Sequence, residues 1–108
     1  MEKVFNKLVR DNIPNIIESN GETPVIRVLD NDEYKKELLK KLLEEANEVL
    51  SSKNSKETLE ELSDVLEIIK SIAILEGEDL DTIIELSNEK RLKRGGFEKR
   101  IYLEKTID

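Results

Sequence analysis

Apolar residues recur at helical spacing along two stretches in the middle of the chain. In the first stretch, Asp30 to about Ser52, apolar residues lie three and four residues apart. Asp30 followed by Glu33 resembles a capping box, which marks a helix start. The second stretch, from about residue 56 to residue 76, has the same periodicity, and the polar segment 51–55 separates the two. The pattern therefore predicts two long amphipathic helices joined by a short connector.

Shorter helices are predicted on either side of this pair. Ile13-Pro14 favours a helix start, because proline suits the first turn, and Asn20-Gly21 would end that helix. Gly77 is a stop signal for the second long helix. A fourth helix is expected from near Asp79 to Gly95-Gly96. The chain thus contains about four predicted helices.

Two short segments have the composition of strands. Pro24–Leu29 is rich in β-branched residues and lies between turn formers, and Ile101–Leu103 is a second apolar run. We expect these segments to pair into a small two-stranded ribbon. The predicted fold class is therefore all-α, an antiparallel helical hairpin or bundle with this ribbon attached. A chain of 108 residues gives room for one domain, residues 1–108.

The absence of two residue types narrows the chemistry. The chain has no cysteine and no histidine. Disulfide scaffolds, thiolate zinc sites, cysteine nucleophiles and imidazole acid–base catalysis are thereby excluded. Any metal must be bound by oxygen, which favours a hard cation such as Mg²⁺, Mn²⁺ or Ca²⁺.

The charge pattern excludes some partners. The net charge of -7 argues against general nucleic-acid binding, which needs a cationic surface. No stretch resembles a membrane span or a signal peptide, so we expect a cytoplasmic protein that does not bind membranes. Residues 44–85 carry thirteen acidic and three basic side chains, whereas residues 86–108 carry four acidic and seven basic ones. This asymmetry fits helix surfaces of differing composition, and it also fits a site for a multivalent cation and a polyanion.

Two pairs of acidic residues lie three positions apart on the long helices. Each pair, Glu45 with Glu48 and Glu61 with Asp64, therefore projects from one side of its helix. In an antiparallel hairpin that turns near residues 54–55, residues whose numbers sum to about 109 face each other. Both cross-helix pairs meet this condition, so we expect the four carboxylates in one layer, roughly 9 Å from the turn.

These carboxylates are also expected to face the apolar seam, because Glu45 and Glu61 lie in line with apolar residues of their helices. Such burial would cost several kcal/mol per charge unless cations or raised pKa values compensated. Bound Mg²⁺ would compensate the negative charge of the four carboxylates. The alternative interpretation is that these acids, like most glutamates spaced in this way, are solvated helix surface.

The double acidic motif resembles the signature of the all-α nucleoside triphosphate pyrophosphohydrolase (MazG-like) superfamily. Glu44-Glu45-x-x-Glu48 precedes Glu61-x-x-Asp64, and the flanks at residues 6–14 and 93–97 are similar to the phosphoribosyl-ATP pyrophosphohydrolase-like, predicted house-cleaning branch. The resemblance implies Mg²⁺-dependent cleavage between the α and β phosphates, with Mn²⁺ as a substitute metal. It implies metal ligands at Glu45, Glu48, Glu61 and Asp64. We expect Glu44 or Glu48 to act as the catalytic base. The sequence departs from many relatives at Asn47, where they have glycine.

A nucleoside triphosphate substrate also needs positive charge beyond the metal. The basic flanks supply candidates, and we predict a set of substrate-binding residues: Lys7, Arg10, Asp11, Arg91 and Arg94. The alternative for the C-terminal cations is that they complement the dipole of the last helix.

The acidic motif and the helical pattern are also compatible with two other functions, and they bear on the oligomeric state. One alternative is the phosphoribosyl-ATP pyrophosphohydrolase of histidine biosynthesis, which catalyses the same type of reaction. The other is a non-catalytic acidic helical module that binds a basic partner. The long apolar faces, and the typical state of the relatives, lead us to expect a homodimer or homotetramer.

Overall fold

The computed structural model describes residues 1–108 as four α-helices without strands. The helices are α1 (Ile13–Ser19), α2 (Asn31–Ser51), α3 (Ser55–Leu75) and α4 (Leu80–Arg94). All four predicted helices are present, and their bounds differ from the predicted ones by one or two residues. The all-α fold class is confirmed.

Side chains cap the N-termini of three of the helices. The Asp30 carboxylate accepts a hydrogen bond from the Glu33 backbone N–H at 2.9 Å, which confirms the cap of α2. Asn54 caps α3 and Asp79 caps α4 in the same way. The three caps fix where the long hairpin and α4 begin.

Gly77 ends α3 because it can adopt a left-handed conformation, with φ at 82°. The Gly77 N–H donates to the Ile74 carbonyl, and the Glu78 N–H donates to the Ala73 carbonyl. This pair of bonds is a Schellman motif, which satisfies carbonyls that the helix leaves unpaired. It allows the chain to turn at once from α3 into α4.

Helices α2 and α3 pack against each other as an antiparallel hairpin. At its open end the Lys35 ammonium lies 2.7 Å from a Glu76 carboxylate oxygen, and at its turn the Ser52 and Thr58 hydroxyls lie 2.7 Å apart. The residue numbers of both pairs sum to within two of the predicted 109, so the predicted register is confirmed. The three buried side chains of the protein are on this hairpin: Leu38, Ile68 and Ala73.

The rest of the chain adds little packing to the hairpin. Helix α4 contacts only α3, and α1 packs against none of the other helices. The radius of gyration is 18.5 Å, compared with about 13 Å for a compact chain of this length. No helix combines the length and the apolar composition needed to cross a membrane.

The predicted two-stranded ribbon is wrong. The backbones of residues 24–29 and 101–103 form no hydrogen bonds with each other, and both segments lack strand structure. Val25 is 97% exposed and Tyr102 is 88% exposed, so neither segment has an apolar surface against which to pack. Strand propensity reflects the fit of a side chain to a half-buried sheet, and a lone two-stranded ribbon is at best marginally stable. A strand-like composition in these two segments therefore does not produce strands without such a surface.

Candidate metal centre

Three of the four predicted carboxylates converge on the hairpin. Glu45 of α2 and Glu61 and Asp64 of α3 each place a carboxylate oxygen within 4.8 Å of the other two. The predicted register is responsible, because it brings one turn of α2 level with one turn of α3. We call Glu45, Glu61 and Asp64 the carboxylate cluster.

Glu48 lies outside this cluster, so the structure brings together three of the four predicted carboxylates. Glu48 is exposed, whereas Glu45 on the same helix is half-buried. The charge of Glu48 still acts on the cluster, because it is one of the carboxylates that raise the pKa of Glu61.

The cluster lies at the edge of the apolar seam and is not buried in it. All three of its residues are half-buried, and the Asp64 side chain is 40% exposed. The cost of desolvation is therefore smaller than the sequence suggested. Mutual repulsion of the three charges adds to this cost.

The surroundings of Glu61 in the cluster raise the pKa of its carboxyl. A hydrogen bond shared with Glu45 raises the pKa of the Glu61 carboxyl above its ordinary value of 4.5. Partial desolvation and the negative charges of Glu45, Glu48 and Asp64 raise this pKa further. The cluster thus favours a proton, or another cation, between Glu61 and Glu45.

Arg10 is the basic residue that the fold brings to the cluster. Its guanidinium donates a hydrogen bond of 2.7 Å to Asp64 Oδ1, across 54 positions of the chain. The segment before α1 therefore lies along α3 at this level. Arg10 was predicted as a substrate-binding residue, but its pairing with Asp64 left no signal in the sequence.

The other candidates near the N-terminus and on α2 are not joined to the cluster. Glu44 is exposed and lies 3.8 Å from the Lys41 ammonium on the same helix. The Lys7 ammonium is 5.7 Å from the centre of the Phe5 ring. Asp11 is exposed and forms no ion pair. The structure does not bring Glu44, Lys7 or Asp11 into the cluster.

The C-terminal candidates meet at a separate place. Arg91 and Arg94 line a cleft of about 500 Å³ where α4 ends, and no residue of the carboxylate cluster lines it. Arg91 forms an ion pair with Glu98, which lowers the pKa of the Glu98 carboxyl. The predicted joining of these two arginines with the carboxylates in one site is therefore absent.

The donor set of the cluster has the chemistry of a site for a hard divalent cation. Carboxylate oxygens from two helices are ligands that Mg²⁺ and Mn²⁺ accept, and no softer ligand is nearby because the chain has no cysteine or histidine. Acidic groups also cluster on helix surfaces without any ion. The geometry is thus compatible with a metal and does not require one.

Half of the chain is similar to a bacterial protein. A segment of 54 residues, 50% of this chain, is 46% identical to an uncharacterized protein of Mycolicibacterium smegmatis. The match spans 55% of that protein, about half of its length. No family model and no solved structure matches the chain.

Proposed function

We propose that the protein is a Mg²⁺-dependent nucleoside triphosphate pyrophosphohydrolase, which releases a nucleoside monophosphate and pyrophosphate. The observation that carries the proposal is the approach of Glu45, Glu61 and Asp64 to within 4.8 Å of one another, with Arg10 on Asp64. The double acidic motif and its flanks support the same reaction through their resemblance to the MazG-like superfamily. House-cleaning of non-canonical nucleotides is the purpose that this resemblance favours.

The three carboxylates of the cluster would hold the cation. A cation held there would supply Lewis-acid chemistry, which would polarise the phosphate and make an attacking water molecule more acidic. The charge of the cation would then offset the repulsion between Glu45 and Glu61. Both carboxyl groups could be ionised without a shared proton. Mn²⁺ accepts the same oxygen donors and should substitute for Mg²⁺.

Arg10 is the residue of this chain best placed to bind phosphate beside the cluster. Its guanidinium is planar and can donate two parallel hydrogen bonds to phosphate oxygens. It is 58% exposed, so it can move from Asp64 to a substrate without unpacking the fold. Lys7 lies three residues earlier on the same segment and is our second candidate for phosphate binding.

Glu48 is the better placed of the two predicted bases. It is exposed to solvent, and its charge acts on Glu61, whereas Glu44 pairs with Lys41. An exposed carboxylate beside the cluster can accept the proton of an attacking water molecule. We therefore assign the base to Glu48 and a supporting role to Glu44.

The remaining predicted substrate-binding residues lie outside the carboxylate cluster. Arg91 and Arg94 line a cleft that excludes the cluster, so we assign the first phosphate contact to Arg10. They would bind the distal phosphates only after a change in the position of α4. Asp11 follows Arg10 directly and would contact the sugar or base.

Product analysis of a nucleotide panel by ³¹P NMR tests this function. With Mg²⁺ we expect pyrophosphate and a nucleoside monophosphate, and with a chelator we expect no hydrolysis. Asp64→Asn should lower turnover about 100-fold or more, because it removes a charged ligand. Glu67→Gln is the matched control, since Glu67 is exposed on the same helix outside the cluster.

The outcomes of this panel separate the alternatives. Hydrolysis of phosphoribosyl-ATP alone would favour the histidine-pathway enzyme. Release of orthophosphate, or full activity of Asp64→Asn, would contradict the assignment of the site. Absence of hydrolysis together with absence of saturable metal binding would favour the non-catalytic module.

A further inference from the structure

The chain that follows α4 folds back and completes the cleft that Arg91 and Arg94 line. Residues 95–101 form the rest of its wall, and we call them the C-terminal loop. Two basic residues of this loop, Lys99 and Arg100, line the cleft and have no part in the proposed hydrolysis. The cleft is therefore a candidate for a second site.

Two glycines allow the C-terminal loop to lie against the end of α4. Gly95 follows the last residue of α4 with a φ of 83°, in the left-handed region that favours glycine. Gly96 has no room for a side chain, because a Cβ atom there would collide with the Arg91 guanidinium and the Glu98 carboxylate. The ion pair between Arg91 and Glu98 therefore closes over Gly96 and joins the loop to the helix.

Arg100 has a backbone conformation that arginine rarely adopts. Its φ is 60°, in the left-handed region, where a side chain is strained. The Arg100 N–H donates to the Phe97 carbonyl at 3.0 Å, and this turn places Arg100 at the cleft. Glycine would make the same turn without strain, and strained residues cluster at functional sites. The use of arginine here indicates a role for its side chain.

The cleft has more positive charge than the protein itself neutralises. Its charged lining consists of four cations and one anion: Arg91, Arg94, Lys99, Arg100 and Glu98. Glu98 pairs with Arg91, and the other three cations form no ion pair. The dipole at the C-terminus of α4 is equivalent to about half a negative charge, so it does not offset three cations. An anionic ligand would.

We propose that this cleft binds a pyrophosphate group without a metal ion, either as the free anion or as part of a nucleotide. Guanidinium groups donate pairs of hydrogen bonds to phosphate oxygens, and Arg94 and Arg100 supply two of them. The volume of about 500 Å³ is in the range of sites for small ligands. The Phe97 ring at the same cleft is 97% exposed and offers a surface on which a base can stack.

A long polyanion such as RNA fits this part of the molecule less well. Residues 44–85 carry thirteen acidic and three basic side chains, which would repel any nucleic acid that extended beyond the cleft. A small ligand meets only the basic end of the chain. The ligand is also distinct from a nucleotide undergoing hydrolysis, because no residue of the carboxylate cluster lines the cleft.

Calorimetric titration of inorganic pyrophosphate in the presence of a chelator tests the site. We expect saturable binding to the wild type that weakens about 10-fold in Arg100→Gly, because one charged donor is lost. The melting temperature of Arg100→Gly without ligand should equal or exceed that of the wild type, because glycine relieves the strain. A structural role for Arg100 would instead lower the melting temperature.

Two control variants locate the binding. Lys105→Gln removes the same charge from an exposed position outside the cleft, and Arg10→Gln removes the arginine beside the carboxylate cluster. Both should bind pyrophosphate as the wild type does. No saturable binding to the wild type, or a loss in either control equal to that in Arg100→Gly, overturns the proposal. The assay involves neither metal nor hydrolysis, so its result is independent of the proposed function.

Titration of adenosine diphosphate under the same conditions distinguishes the two sources of the pyrophosphate group. Tighter binding than that of pyrophosphate, with the difference abolished in Phe97→Leu, identifies a nucleotide as the ligand. Equal binding of the two compounds identifies the free anion. Tighter binding of a single-stranded oligonucleotide than of either compound would contradict a small-ligand site.

Discussion

At the scale of single residues, the contact between Arg10 and Asp64 links the two halves of the proposed site. The guanidinium occupies one carboxylate of the cluster at 2.7 Å, so it neutralises part of the charge that a metal would neutralise. In the proposed function, a divalent cation would compete with Arg10 for Asp64. The displaced guanidinium would then be free to bind phosphate.

Arg10→Gln should separate metal binding from turnover. Exposed ion pairs contribute at most about 1 kcal/mol, so removal of the competitor should tighten Mg²⁺ binding up to about 5-fold. Turnover of a nucleoside triphosphate should fall about 10- to 100-fold, because the phosphate loses a charged donor. Calorimetric titration and steady-state kinetics measure the two effects.

Arg27→Gln is the matched control for this variant. Arg27 forms an ion pair of 2.7 Å with Glu33, outside the cluster, and is exposed like Arg10. It should change neither Mg²⁺ affinity nor turnover. Equal effects of the two substitutions would remove Arg10 from the site.

The raised pKa of Glu61 predicts how stability depends on pH. The folded state holds the Glu61 proton more tightly than the unfolded chain does, so this group contributes most to stability below its ordinary pKa of 4.5. The contribution is lost as the pH rises through the raised pKa. Without metal, Glu61→Gln should therefore raise the melting temperature at pH 7 and flatten its pH dependence.

Thermal melts of metal-free protein between pH 4 and pH 7 check this prediction. Glu67→Gln should follow the wild-type curve, because that side chain is exposed and lies outside the carboxylate cluster. A Glu61→Gln melting temperature below that of the wild type at pH 7 would mean that the ionised carboxylate stabilises the fold. Addition of Mg²⁺ should stabilise the wild type at pH 7 and lose its effect towards pH 4.

The carboxylate cluster was largely predictable and its arginine was not. Residue spacing and hairpin register together identify Glu45, Glu61 and Asp64, because both follow from helix geometry. Glu48 is exposed in the structure. Residue spacing alone does not determine whether a side chain next to the apolar seam is exposed. The pairing of Arg10 depends on the course of an irregular segment, for which the sequence carries no periodic signal.

At the scale of elements, the helices were predictable because local chemistry specifies them. Capping side chains, apolar periodicity and stop signals agree at the ends of α2 and α3. The two predicted strands failed because a strand is stabilised by its partners, and a pattern of residues does not supply them. Their exposed apolar side chains are the consequence.

The N-cap of α3 is one of the contacts that hold the turn of the hairpin. Asn54 accepts a hydrogen bond of 2.9 Å from the Glu57 backbone N–H, and loss of an N-cap side chain costs about 1 kcal/mol. Asn54→Ala should therefore lower the free energy of unfolding by about 1 kcal/mol, measured by urea denaturation. Lys53→Ala, next to it in the same turn, should have little effect, and an equal loss in both variants would show that the cap is not the cause.

At the scale of the whole molecule, the surface of the hairpin is chemically uneven. The carboxylate cluster is half-buried, with partial access to solvent. Leucines of both long helices, among them Leu43 and Leu59, are exposed elsewhere on the hairpin. Composition could not reveal this distribution, because the apolar residues that cover each other are indistinguishable in sequence from those that remain exposed.

Binding of Mn²⁺, followed by electron paramagnetic resonance of the free ion, tests most directly whether the carboxylate cluster is a metal site. We predict saturable binding at neutral pH that Mg²⁺ competes away. The variant Glu45→Gln/Glu61→Gln/Asp64→Asn should lose it, while Glu60→Gln/Glu67→Gln/Glu85→Gln, which removes the same charge elsewhere, should keep it. Equal binding by the two variants, or no saturation in the wild type, would contradict the account.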